Sequence, residues 1–436
     1  MSHRGPEGRR DLSVAALARV EGEGAMRVRL LDGHVEHIAL DIYEPPRFFE
    51  ALLVGRHMHE PPDITARICG ICPVAYQTSA CEALESLAGV KVDGPLRLLR
   101  RLLYCAEWIQ SHALHIFLLH LPDFLGYDSA IELAGHDRDM VERGLELRRV
   151  GRDLLEVIGG RESHPVNVRV GGFYRAPTVR ELETLREPIA RAREEAIATV
   201  ALVAALDFPD LEIDHELVAL HHPDEYAIDR GRIISDDGLD IAPEAFFDHF
   251  VETQVPHSTA LHAARIGSDA SYLVGPLARY ALNFDQLPAV AREAAVDAGL
   301  PRVVRNPYRS IVVRAVELLA AYDEALRLVD AYHEPEQPAL EVPARAGRGH
   351  GVSEAPRGLL YHRYDVDPDG LISGAQIVPP TSQNQRAIED DLGAFVEAHL
   401  ALDDAQLRLR CEQAIRNYDP CISCATHFLD LTIDRG

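Results

Sequence analysis

Residues Arg67-Ile68-Cys69-Gly70-Ile71-Cys72-Pro73 and Asp419-Pro420-Cys421-Ile422-Ser423-Cys424-Ala425-Thr426-His427 each carry a Cys-x-x-Cys pair, one near either end of the chain. A two-residue spacer folds back as a tight turn and points both sulfurs at a common point, and Gly70, Pro73 and Pro420 suit such turns. Two pairs together make a four-sulfur site for a soft metal, with zinc, iron–sulfur and nickel or iron as candidates. A structural zinc ribbon spaces its pairs roughly 15–20 residues apart. Here Cys72 and Cys421 are 349 positions apart, so a shared site would clamp the two ends of a whole domain. A redox dithiol needs only one pair on a βαβ unit and leaves the second unexplained.

Working outward, the chain has 436 residues, enough for a large core and for about two or three domains by length alone. Its 44 Lys+Arg against 69 Asp+Glu give a net charge of −25, and a nucleic-acid binder normally carries a basic excess, so no nucleic-acid partner is expected. Seven cysteines are too few for a disulfide-stapled secreted scaffold. The N-terminal stretch has basic residues but no apolar core of a secretory signal, and no long apolar run predicts a membrane span. These features predict a cytoplasmic protein.

Alternation on both sides of Asp32-Gly33 predicts a β-hairpin over residues 26–43, with shorter hairpin signals around Asp237-Gly238 and Pro368-Asp369-Gly370. Between them the periodicity is helical, over residues 95–121 (stopping at Pro122), 139–158, 178–206, 310–333 and 386–416. Residues 334–358, rich in Pro, Gly, Arg and Glu, read as a loop. The expected fold is mainly α with small peripheral β-sheets, α+β, in which a bundle of long helices forms the core and the metal site joins the N- and C-terminal segments. No linker or repeat divides the chain, so residues 1–436 are expected to form a single domain.

The two cysteine motifs, in this order and at these ends, resemble the signatures of the large subunit of nickel–iron hydrogenases. The resemblance extends through Arg19-Val20-Glu21-Gly22, through Arg47-Phe48-Phe49-Glu50 with Gly55-Arg56, and through Ser111-His112 with His120-Leu121-Pro122-Asp123. It continues in Glu354-Ala355-Pro356-Arg357-Gly358 and Pro380-Thr381-Ser382-Gln383-Asn384. The stretch from Cys69 to Gln77 is most similar to the cytoplasmic, bidirectional, NAD(P)-linked branch, the sulfhydrogenases. Most other branches carry His where this chain has Tyr76. A degenerate scaffold homologue, like the quinone-site subunit of respiratory complex I, would have lost the cysteines, and all four are present.

The resemblance implies reversible heterolysis of H2, coupled through partner subunits to NAD(P). It implies that Cys69, Cys72, Cys421 and Cys424 hold nickel, with Cys72 and Cys424 bridging to an iron that carries CO and cyanide. Cys421 and then Glu21 would accept the proton. Arg357 would polarise the open site and hydrogen-bond one cyanide, Thr381 would donate to the other, and Asp123 and Asp419 would hold the Arg357 fork. A second ion, Mg2+ or Fe, is implied at Glu50 and His427. Residues 428–436 would be either a C-terminal extension of the kind a maturation protease cuts in this family or a short tail that is kept. The other cysteines, Cys81, Cys105 and Cys411, cannot make a four-cysteine cluster site, and no nucleotide-binding glycine motif follows a strand. Hydrogen chemistry would then require a partner carrying iron–sulfur clusters, and the resemblance implies an iron–sulfur small subunit together with diaphorase-type subunits for FAD and NAD(P). Cys81, Cys105 and Cys411 are expected to be buried small hydrophobes, and His112, His115 and His120 to be packing or interface residues on one helix.

Overall fold

A computed structural model of the chain describes residues 9–426. The first sheet grows from the predicted hairpin. In β2 (Gly24–Leu31) the buried residues Gly24, Met26, Val28 and Leu30 alternate with more exposed ones, so one face meets the core. Asp32 and Gly33 both take positive φ (51° and 80°), matching the twist of the flanking strands and turning the chain into β3 (His34–Ile42). β1 (Arg9–Val14) adds antiparallel to the other side of β2.

The centre is helical, as the periodicity predicts. α1 (Pro73–Ala88) leads to α2 (Gly94–Leu114), whose Leu99, Leu102, Leu103, Trp108 and Ile109 are all buried. α2 packs against α3 (Arg138–Gly159) and against α5 (Ser310–Ala331), which in turn packs on α4 (Val179–Ala204). Gly151 of α3 lets the pair approach closely, because a Cβ there would lie 2.8 Å from the Ala106 carbonyl oxygen. α4 starts with a reciprocal capping box between Thr178 and Glu181. The main apolar core takes in residues from Leu12 to Cys424, with separate smaller clusters around Phe246 and Tyr361 and around Ile42 and Ile422.

Three boundaries differ from the sequence expectation. The helix predicted over 95–121 is regular only to Leu114; residues His115–His120 form a wider π-turn, and a short helix, Leu121–Leu125, restarts with Pro122 in its first turn. There the missing proline N–H breaks no ladder. The helix predicted over 386–416 is two, α6 (Pro380–Ala398) and α7 (Asp404–Arg416). The second begins afresh because the Asp403 carboxylate caps it by accepting from the Gln406 N–H at 2.8 Å.

The third difference is in the region read as a loop. Between β4 (Phe250–Gln254) with its partner β5 (Leu261–Arg265) and the C-terminal helices lies a three-stranded antiparallel sheet. Its first strand, β6 (Gly347–Ala355), falls inside that region, and β7 (Gly358–Val366) and β8 (Ile372–Val378) follow. The glycines that suggest a loop serve contact instead: a Cβ at Gly349 would collide with the Ala83 carbonyl, and one at Gly351 with the Ser79 carbonyl. β6 therefore lies directly on α1. This hairpin carries Arg357 at its turn, against the segment that carries the first thiol pair.

Candidate metal centre

Cys69 follows a short 3-10 turn, Ala66–Ile68, in extended conformation, and Cys72 is the residue from which α1 starts. The Cys69 sulfur accepts from the backbone N–H groups of Ile71 and Cys72 at 3.2 and 3.3 Å, which closes the loop. At the other end Cys421 precedes a helical turn, Ile422–Ala425, that carries Cys424. All four sulfurs are buried and free of disulfide bonds. Sγ of Cys69 lies 3.4 Å from Sγ of Cys421, Cys72 lies 3.6 Å from Cys424, and Cys421 and Cys424 are 2.6 Å apart. Burial raises all four thiols, but the sulfhydryls around Cys69 and the Arg357 guanidinium outweigh it there and hold Cys69 well below the ordinary range. Cys72 and Cys421 stay raised, and burial pushes Cys424 up to about 11. A buried quartet with one readily ionised member is a donor set suited to a soft, thiophilic metal.

The charged groups over the quartet are fixed by the backbone. Glu21 forms a single parallel bridge with Cys421, the Ile422 N–H donating to the Glu21 carbonyl at 2.9 Å. Its carboxylate Oε2 accepts from the Cys421 thiol at 3.1 Å and from the Ser423 N–H at 3.0 Å. The tight approach needs Gly22 at φ 88°, where a Cβ would lie 2.7 Å from Ile422. Thr381, at the start of α6, accepts from the Cys421 N–H at 2.9 Å, which leaves its own hydroxyl proton free to donate.

Arg357 donates from Nε to the Asp419 carbonyl at 2.6 Å and from Nη2 to Asp419 Oδ1 at 3.0 Å. Burial opposes its charge, but Asp419 and the thiols outweigh that and keep it protonated. Its Nη1 is buried with no partner among the described residues, an unsatisfied donor on a guanidinium close enough to the thiols to feel their charge.

Asp123 is not the second partner of Arg357. Its carboxylate is taken by Arg416, at 2.7 and 2.8 Å, and by Arg19. Arg416 is almost fully buried on α7 and also donates to the Ala18 carbonyl, so Asp123 ties the Glu21 segment to α7. The nearer second charge for Asp419 is Arg314, 3.7 Å away.

Several buried charges escaped the sequence reading. Glu107 on α2 accepts from the Val74 and Ala75 N–H groups at 2.6 and 3.1 Å, satisfying the start of α1 immediately after Cys72. Arg279 donates to the Pro356 carbonyl at 2.9 Å and to that of Ala355, holding the turn on which Arg357 sits. It is itself held by Glu317 at 2.8 and 2.9 Å and by Glu354 at 3.0 Å. The available signal was a charged residue inside an otherwise apolar helical stripe, as at Glu107 beside Trp108 and Glu317 beside Leu318.

Glu50 accepts from the Ile377 N–H at 2.7 Å and lines a cavity of about 130 Å³ together with Cys424 and Thr426. His427 and residues 428–436 lie outside the described residues. Cys81, Cys105 and Cys411 are buried, with burial raising their thiols, that of Cys411 to about 12. His112, His115 and His120 are buried as well, which depresses their basicity. Tyr76 is buried with its hydroxyl unpartnered among the described residues.

Comparison with known proteins decides the family. Residues 47–143 and 272–427 match the family described as Nickel-dependent hydrogenase. This chain belongs to the nickel-dependent hydrogenases. The Sulfhydrogenase 1 subunit alpha of Pyrococcus furiosus is 32% identical over 425 residues, covering 96% of this chain and 98% of that one. The NAD-reducing hydrogenase HoxS subunit beta of Cupriavidus necator is 28% identical, over 96% of this chain and 95% of that one. The crystal structure of an NAD+-reducing [NiFe]-hydrogenase in the H2-reduced state superposes with a TM-score of 0.87 at 29% identity, covering 97% of this chain and all of the other. The chain is a nickel–iron hydrogenase large subunit, an oxidoreductase acting on H2, and the cysteine quartet is its metal-binding cluster. No helix among the described residues is long and apolar enough to cross a membrane.

Proposed function

We propose that this hydrogenase subunit, working as one domain over residues 1–436 in the cytoplasm, catalyses H2 ⇌ 2 H+ + 2 e− and exchanges the electrons with NAD(P) through partner subunits. The observation that carries the residue assignment is the approach of the Cys421 sulfur to Glu21 beside three further buried thiols.

In this reading Cys69, Cys72, Cys421 and Cys424 would hold the nickel–iron group. When bound, the nickel–iron group, with CO and cyanide on iron, supplies the heterolytic cleavage of H2. Cys421 Sγ takes the proton, and Glu21 Oε2, at 3.1 Å, takes it next, while the Ser423 N–H holds that oxygen in place. Arg357, fixed by Asp419, presents its free Nη1 donor over the sulfurs, and the Thr381 hydroxyl supplies a second donor. Asp123 positions the Glu21 segment through Arg19 and Arg416. Glu50 and His427 would hold the second ion, Mg2+ or Fe, and residues 428–436 would be a candidate substrate of a maturation protease.

Cys81, Cys105 and Cys411 are separate and buried, which supports placing the electron-carrying clusters on an iron–sulfur small subunit. The relatives' NAD-linked names support diaphorase-type partners carrying FAD and binding NAD(P). Elemental analysis and H2-dependent NAD(P)+ reduction by the complex purified from its host test the reading. One nickel per large subunit with reduction of the nucleotide is expected; absence of nickel overturns it.

A further inference from the structure

A second convergence of ligand side chains lies apart from the four thiols. A ring nitrogen of His257, a ring nitrogen of His262 and a carboxylate oxygen of Glu389 all lie within 4.8 Å of one another. His257 comes from the turn between β4 and β5, His262 from β5 itself, and Glu389 from α6.

The three are held where they are. The Leu40 N–H of β3 donates to Glu389 Oε1 at 2.8 Å, and His257 Nε2 donates to the same oxygen at 2.8 Å. The turn bearing His257 is pinned to β3 by the Thr259 N–H, which donates to the Ile42 carbonyl at 2.8 Å. His262 is only 7% exposed, and its Nε2 is buried with no hydrogen-bond partner among the described residues. An unsatisfied buried polar atom destabilises the fold, a cost that an apolar residue of similar size would avoid. Burial disfavours the protonated ring of His262 and so keeps it in the neutral, ligating form. Asp41 and Asp390 face the two histidines, but Arg27 and Arg386 face them too, so the charge offered to a cation is chiefly that of Glu389.

We propose that His257, His262 and Glu389 form a divalent transition-metal site, best suited to Zn2+, that fastens the β4–β5 turn to α6. Two imidazoles and a carboxylate are a borderline donor set that zinc accepts readily, whereas Mg2+ and Ca2+ prefer oxygen ligands alone. Around a tetrahedral zinc with bonds of 2.0–2.1 Å the ligand atoms lie about 3.4 Å apart, so the three atoms, now within 4.8 Å of one another, would draw together by up to about 1.4 Å on binding. On binding, His257 Nε2 would give up the proton it now donates to Glu389, which moves to Nδ1 as the ring changes tautomer or, from a doubly protonated ring, to water. The ion then takes the place of that hydrogen bond, and water would fill the fourth position. The role is structural: the fastened turn carries Ala260, whose backbone bridges to Thr426, two residues beyond Cys424. The ion braces the support on which the C-terminal thiol pair rests. No residue of the quartet belongs to this site, and the inference does not depend on nickel being bound there.

The purified hydrogenase complex is incubated with Zn2+, freed of unbound ion, and zinc and nickel are counted per chain for the wild type, His262→Gln and Glu389→Gln. One zinc per chain in the wild type, lost in both variants with nickel unchanged, is expected. Equal zinc in all three proteins, or none in the wild type, overturns the site. If His262→Gln does not fold, the more exposed His257→Gln takes its place, with the same loss expected. Replacing zinc by Co2+ should give no thiolate charge-transfer absorption, and such a band would move the ion to the cysteines and defeat the assignment. A protein lacking nickel whose zinc still depends on His262 would support this site while defeating the four-thiolate reading.

Discussion

The carboxylate Oε2 of Glu21 lies 3.1 Å from the sulfur of Cys421, a residue 400 positions further along the chain. The same oxygen is held by the Ser423 N–H, and the backbone of Glu21 is paired to that of Cys421. A proton leaving that sulfur meets an acceptor already in hydrogen-bond contact.

Glu21→Gln keeps the size and the Ser423 contact but removes the base. Turnover and H2/D2O isotope exchange should fall by about 10²–10⁴-fold, the usual worth of a positioned general base, while nickel content stays at the wild-type value. Wild-type exchange in Glu21→Gln would remove the carboxylate from the proton path.

Arg357→Lys keeps a positive charge but cannot reproduce the two contacts to Asp419 and still present a third donor over the sulfurs. Activity per bound nickel should drop by about 10²–10³-fold. A variant of undiminished activity would show that the fork is not needed.

Asp123→Asn should act on the fold more than on the chemistry. It takes the two-bonded carboxylate from the buried Arg416 guanidinium and leaves it only Glu412, at 3.4 Å; breaking a buried pair costs about 3–5 kcal/mol. Thermal unfolding is expected to move down markedly while activity per nickel in the surviving folded protein stays close to wild type. The opposite pattern would return Asp123 to the reaction.

Much of this was legible in the sequence and some was not, for physical reasons. The thiol pairs and Glu21 were legible because their motifs carry the geometry with them. Asp123 was also visible as a site residue, but nothing in one sequence says which of several arginines a carboxylate meets, and Arg416 and Arg19 take it rather than Arg357. Residues 334–358 read as a loop because their glycines look like turn residues. At Gly349 and Gly351 the missing side chains instead let β6 lie on the backbone of α1. Arg279 and Glu317, which hold the Arg357 turn, lie on helices far from any motif, and only their burial betrays them.

Glu324 makes one contribution to stability that acid removes. Burial raises its carboxyl, but Arg327 and Arg101 outweigh burial and hold it at about 2 against an ordinary 4.5. A depressed carboxyl stabilises the fold above the ordinary value and loses that contribution as pH falls from about 4.5 towards 2. Unfolding midpoints of wild type and Glu324→Gln should therefore differ most near neutral pH, by about 2–3 kcal/mol, and converge below pH 3. A gap that persists unchanged at acid pH would assign the loss to packing instead.

In the proposed function, the four thiols at the two ends of the chain hold a nickel–iron group with CO and cyanide on the iron. The infrared spectrum of the complex purified from its host tests it most directly. The expected result is a set of stretching bands from metal-bound CO and cyanide, which shift under H2 and are absent from Cys424→Ser. A protein that shows no such bands, and that carries zinc on its cysteines in place of nickel, would contradict the account.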